Sequence, residues 1–146
     1  MFAHQPYKIK NMKYLAQLST TILLAITIVS CSNGQNKTDG TIAENVNVEE
    51  FAKHAETAQL LDVRTPGEWN EGIIEGAIMA DFYEDSFKSE LEKLDKDKPV
   101  AVYCMSGGRS GQTMGMMKKM GFKEVYNLNG GIGAWRSAGK PTVDSK

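Results

Sequence analysis

The five residues PVAVY at 99–103 carry no charge and are followed at once by CMSGGRS at 104–110 and then by a helix-like stretch, 110–120. So short an unbroken apolar run, bounded by a breaker and a small-residue loop, predicts a strand. The order is therefore strand, tight loop, helix. The same alternation recurs along the chain, with strands expected at 59–64, 76–79 and 124–128 and helices at 47–57, 87–94 and 132–138. It predicts an α/β fold, a mostly parallel sheet with helices on both faces, whose ligands bind beyond the carboxyl ends of the strands. Cys104 lies at one such end.

The element ends carry their own signals. Asn47 precedes Val48-Glu49-Glu50, so Asn47 can cap a helix while Glu50, three residues on, reaches back to it. Thr65-Pro66-Gly67 closes the strand at 59–64, and Gly121 sits where a helix over 110–120 must end. Phe87, Leu91 and Leu94 share one helical face. Met114, Met116, Met117 and Met120 read as adaptable side chains packed on the sheet rather than as a metal or sulfur site, Trp135 as a core or interface aromatic, and His54 as a solvated surface residue.

The amino-terminal third differs. Lys8, Lys10 and Lys13 precede an apolar stretch over 15–29 that is broken only by Gln17 and by hydroxyl residues. This is the charged-then-apolar plan of a signal peptide, and it is shorter and more polar than the ~20 apolar residues of a membrane span. Ile28-Val29-Ser30-Cys31 resembles the bacterial lipobox, which implies cleavage before Cys31 and lipidation of that residue. Met12 is an alternative start that gives a signal of ordinary length. Residues 1–30 are thus expected to be a lipoprotein signal peptide and 31–45 a lipidated cysteine with a flexible polar tether, leaving 46–144 as the domain. The implied location is the bacterial cell envelope, lipid-anchored and facing the periplasm.

The chain has a net charge of -1, and without the three leading lysines 14 basic residues face 18 acidic ones. Such a body offers no polybasic surface to a nucleic acid.

There are two cysteines, so if Cys31 carries lipid, Cys104 has no partner within the chain. Gly107 and Gly108 are free to take positive φ, which lets successive amides turn inward as an anion-binding nest at the start of a helix. A cysteine there should be acidified to a thiolate, and hence a nucleophile. Arg109 would stand at the rim, balancing negative charge and fixing the loop's shape. A protease-like dyad needs a histidine, and only His4 and His54 exist, neither near the loop in sequence. A metal site lacks ligands at usable spacing, and no Cys-x-x-Cys occurs. Tyrosine phosphatases place five residues between cysteine and arginine; here Arg109 comes one residue earlier, and the tighter ring suits a single sulfur atom.

Three segments together resemble the rhodanese (sulfurtransferase) family, over about 47–141. LDVRTPGEW at 61–69 is similar to its first signature, CMSGGR at 104–109 to its active-site loop, and NGGIGAW at 129–135 to its carboxy-terminal signature. The resemblance implies that Cys104 takes a sulfane sulfur from thiosulfate, polysulfide or a persulfide and passes it, as a persulfide, to a thiol or cyanide, with no cofactor. Met105, Ser106, Gly107, Gly108 and Ser110 would form the substrate-binding loop around Cys104 and Arg109. Asp62 and Arg64 either organise that face by ion pairing or serve only as a structural strand end. Met105 stands where several thiosulfate-using members carry a basic residue, and Gly108 where Lys is common, so this loop offers a dianion fewer cations. A non-catalytic module that keeps the fold is the alternative.

Overall fold

The computed structural model describes residues 40–146, so the signal-peptide segment, Cys31 and most of the expected tether lie outside the described residues. Five strands form one parallel sheet: β1 (Ile42–Val46), β2 (Gln59–Asp62), β3 (Ile78–Met79), β4 (Val100–Tyr103) and β5 (Glu124–Leu128), in the order β1-β5-β4-β2-β3. β4 is central, and every residue in it is buried. That is why its sequence is apolar throughout rather than alternating.

Alternation along the strands sorts the core into two layers. Leu61, Val100, Val102 and Val125 face one side, where α3 (Phe87–Glu92) and α4 (Gly108–Lys119) supply Phe87, Leu91 and Met117. Leu60, Ala101, Tyr103, Tyr126 and Leu128 face the other, covered by Phe51 of α1 (Val48–Ala55) and by Ile132 and Trp135 of α5 (Gly131–Ser137). The methionines behave as their spacing implied, with Met117 buried and Met114, Met116 and Met120 packed around it. Trp135 meets Phe51 edge-on at 6.2 Å, and its Nε1–H donates to Pro141 O at 2.8 Å.

Asn47 does cap α1: its side chain accepts from Glu50 N–H at 3.0 Å, and the Glu50 carboxylate accepts from Asn47 N–H. Two expectations need correction. Residues 42–45, assigned to the tether, belong to β1, which pairs in parallel with β5 from Ile42↔Glu124 to Val46↔Leu128. An edge strand has one neighbour and a solvated side, so its sequence, here IAENV, mixes apolar and polar residues and its apolar signal is weak. His54 is not simply solvated; its ring stacks on Tyr126 at 3.6 Å. Among the described residues no helix is long and apolar enough to cross a membrane.

Candidate active site

The loop from Cys104 to Gly107 leaves the buried end of β4 and enters α4 (Gly108–Lys119), whose start lies two residues earlier than expected. Of the two glycines only Gly107 takes positive φ, at +97°; Gly108 is already helical. A Cβ on Gly107 would approach Leu128 O at 3.2 Å, so the turn needs glycine for space as well as for conformation. Underneath, the start of α5 holds the loop: Ile132 N–H donates to Cys104 O at 2.8 Å and Gly133 N–H to Met105 O at 3.2 Å. Gly131, at φ +58°, packs so closely that a Cβ would collide with the carbonyl groups of Cys104 and Met105. The third signature is therefore the floor of the second.

Cys104 is 1% exposed, and its Sγ accepts from Gly107 N–H at 3.1 Å and from the Ser110 hydroxyl at 3.4 Å. Burial pushes this thiol up, but hydrogen bonds from the Ser110 hydroxyl and from the amides of Ser110, Ser106 and Gly107 outweigh it, leaving the thiol below its ordinary value. The arrangement can hold a sulfur anion with dipoles alone. Asn127 Nδ2 donates to Gly107 O at 3.3 Å and to Asn45 Oδ1 at 2.6 Å, so the edge strand β1 braces the loop through β5.

Arg109 makes a bidentate pair with Glu68, Nη1 to Oε2 at 2.8 Å and Nη2 to Oε1 at 2.6 Å. Glu68 ends no strand; it lies in α2 (Pro66–Trp69), where Oε2 also accepts from Thr65 N–H and Oγ1–H at 3.0 and 2.9 Å. The hydrogen bonds from Arg109 outweigh burial and hold the Glu68 carboxyl down to about 2, and those same bonds raise the Arg109 guanidinium above its usual range. The Tyr83 ring, 70% exposed, lies 5.7 Å from the Arg109 guanidinium carbon.

Asp62 and Arg64 form a second pair, Nη2 to Oδ2 at 2.7 Å, with both side chains wholly buried. Arg64 also donates to Glu68 O at 3.0 Å and Gly72 O at 2.8 Å, clamping the segment that carries Glu68. Tyr103 completes this cluster: its hydroxyl accepts from Ile74 N–H at 3.0 Å, and burial, with the Asp62 charge second, pushes its own ionisation up. The pair thus stands behind the site rather than at its mouth. Of the loop residues, Ser106 and Gly108 are exposed, whereas Met105 packs against the cluster around Phe51 and Trp135.

Glu68 was the functional candidate not singled out beforehand, although the capping-box spacing from Thr65 to Glu68 marks it as a fixed carboxylate. Tyr83 left no signal in the sequence. Among the described residues no group of three or more His, Cys, Asp or Glu could hold a metal ion.

A model of the rhodanese-like domain matches residues 47–138. The chain is 36% identical over 88 residues to a protein named sulfurtransferase from Allochromatium vinosum, covering 60% of this chain and 80% of that one. It is 40% identical over 89 residues to the thiosulfate sulfurtransferase GlpE of Coxiella burnetii, covering 59% and 78%. The crystal structure of a rhodanese-related protein from Thermoplasma volcanium superposes with a TM-score of 0.62 at 28% identity, covering 68% of this chain and 97% of that one.

Proposed function

The chain belongs to the rhodanese family, and from that premise we propose that it is a sulfurtransferase in which Cys104 carries the sulfur. The observation that carries this reading is the sulfur cradle, in which a buried Sγ receives Gly107 N–H and the Ser110 hydroxyl while burial is outweighed by its donors. A thiolate so held attacks the outer sulfur of a donor, the donor's S–S bond breaks, and the remainder leaves with the electron pair. With thiosulfate the leaving group is sulfite. The resulting Cys–S–S⁻ then gives its terminal sulfur to cyanide, forming thiocyanate, or to a thiol, forming a new persulfide, and the Cys104 thiolate returns.

The loop amides and the start of α4 supply the stabilisation of the transferred sulfur's charge, the same physics as an oxyanion hole. Arg109, held by Glu68, keeps the first turn of α4 in place against α2. Asp62 and Arg64 support that arrangement from behind through the Glu68 carbonyl.

Incubating the full chain, purified in mild detergent, with thiosulfate or polysulfide should add the mass of one sulfur at Cys104, and cyanide should release it as thiocyanate. Undiminished turnover in Cys104→Ser would rule out Cys104 as the carrier, and no adduct from any sulfane donor would leave the non-catalytic module. We further propose that Cys31 carries a lipid that tethers the domain to the cell envelope, facing the periplasm. Cys31→Ala should then free the protein from membranes; continued retention would point to an uncleaved helix.

A further inference from the structure

We propose that the donor read by this site is an organic persulfide, a species with one negative charge or none and a carbon-bearing leaving group, in preference to dianionic thiosulfate. The inference rests on the sulfurtransferase reading and adds the substrate class to it. Its basis is the charge balance around Cys104.

Arg109 adjoins the loop, and both of its terminal nitrogens are engaged by Glu68 at 2.6 and 2.8 Å. The Glu68 carboxyl stays ionised down to about pH 2, so the pair is neutral at every working pH. Behind it, the Asp62–Arg64 pair is likewise balanced and wholly buried. Met105, in the same loop, is apolar and packed on the core around Phe51 and Trp135. Sγ is therefore held by dipoles, Gly107 N–H and the Ser110 hydroxyl foremost. Dipoles of this kind suit the single charge of a persulfide. Bringing a dianion against a thiolate places three negative charges together, and a neutralised guanidinium does little to offset them.

The leaving group finds a different surface. Tyr83 is 70% exposed, its ring edge-on to Phe82 at 5.5 Å and 5.7 Å from the Arg109 guanidinium carbon. An aromatic wall beside a neutral ion pair favours the body of an organic thiol over sulfite. The step balances: the Cys104 thiolate attacks the outer sulfur of R–S–SH, the S–S bond breaks, R–S⁻ departs with the electron pair, and Cys104 retains –S–SH, whose proton exchanges with solvent.

The test compares kcat/KM for cysteine persulfide, whose carboxylate and ammonium cancel and which carries at most one net negative charge, and for thiosulfate on the full chain in detergent, with cyanide as acceptor. The persulfide should win by about 100-fold or more, since electrostatic focusing of a charged substrate alone spans ~10–1,000-fold in rate. Glu68→Gln keeps one acceptor oxygen for Arg109 but removes the carboxylate charge, and should raise thiosulfate kcat/KM about tenfold with a new salt dependence, narrowing the ratio. Gly108→Lys provides the same readout without touching the pair, because a Cβ there meets nothing within 4 Å. Tyr83→Ala should raise KM for the persulfide several-fold, a larger change than it makes in KM for thiosulfate. Thiosulfate turnover equal to that of the persulfide, or a ratio unmoved in both Glu68→Gln and Gly108→Lys, overturns the inference while leaving the sulfurtransferase reading intact. Absence of a Cys104 adduct from either donor overturns both.

Discussion

Two arginine–carboxylate pairs draw on one short segment, residues 62–68, and do different work. Asp62–Arg64 is sealed, both side chains at 0% exposure, and Arg64 has its remaining donors on the carbonyls of Glu68 and Gly72. Glu68–Arg109 joins α2 to the first turn of α4 with side chains 16% and 21% exposed on the Arg and Glu sides. The inner pair fixes the backbone from which the outer pair is presented. The comparison teaches that an ion pair's role follows from its depth and its other partners: at full burial it is a structural clamp, and at the rim it sets the local charge that a substrate meets.

The largest expected effect comes from breaking the inner pair. Arg64→Met leaves the buried Asp62 carboxylate without its counter-charge and takes one donor each from the Glu68 and Gly72 carbonyls, and should cost about 3–5 kcal/mol in urea-induced unfolding. A loss as small as that of an exposed pair would show that water reaches Asp62. The outer pair should give a smaller number. In a double-mutant cycle with Glu68→Ala and Arg109→Ala, the coupling should be about 1 kcal/mol, since water screens the rim while bidentate geometry lifts the pair above an ordinary surface bridge.

Acid separates the outer pair further. The Glu68 carboxyl lies at about 2 in the fold against 4.5 for an ordinary one, so it contributes stability above pH 4.5 that is lost as pH falls toward 2. Glu68→Gln should therefore lose stability less steeply across that window, measured as the unfolding midpoint against pH. The smallest effect is expected at the sulfur. Iodoacetamide should alkylate Cys104 with a midpoint below that of a free thiol, ~8.5, and Ser110→Ala should move the midpoint upward by removing a donor to the thiolate.

Most of the sheet was legible in the sequence because its signals are local. PVAVY is a strand wherever it is surrounded by other elements, the Asn47–Glu50 capping box formed as spaced, and Gly121 ended α4 at φ +88°. β1 was not legible, since an edge strand of mixed composition such as IAENV becomes a strand only when β5 offers it a ladder. The choice of Gly107 over Gly108 for positive φ was equally hidden, because it depends on how closely Leu128 and the start of α5 approach the loop.

By itself the sequence determined that a cysteine would stand at the carboxyl end of an apolar strand, followed by small residues and a helix whose amides face it. Those are relations over a few residues, set by hydrophobic period and by glycine stereochemistry. Only the tertiary structure decided that Arg109 would meet Glu68 across 41 residues of chain, that Met105 would turn into the core, and that Tyr83 would line the guanidinium. The reason is that charge neutralisation depends on distances of a few ångströms, and such distances exist only once the sheet has brought α2 and α4 to the same edge.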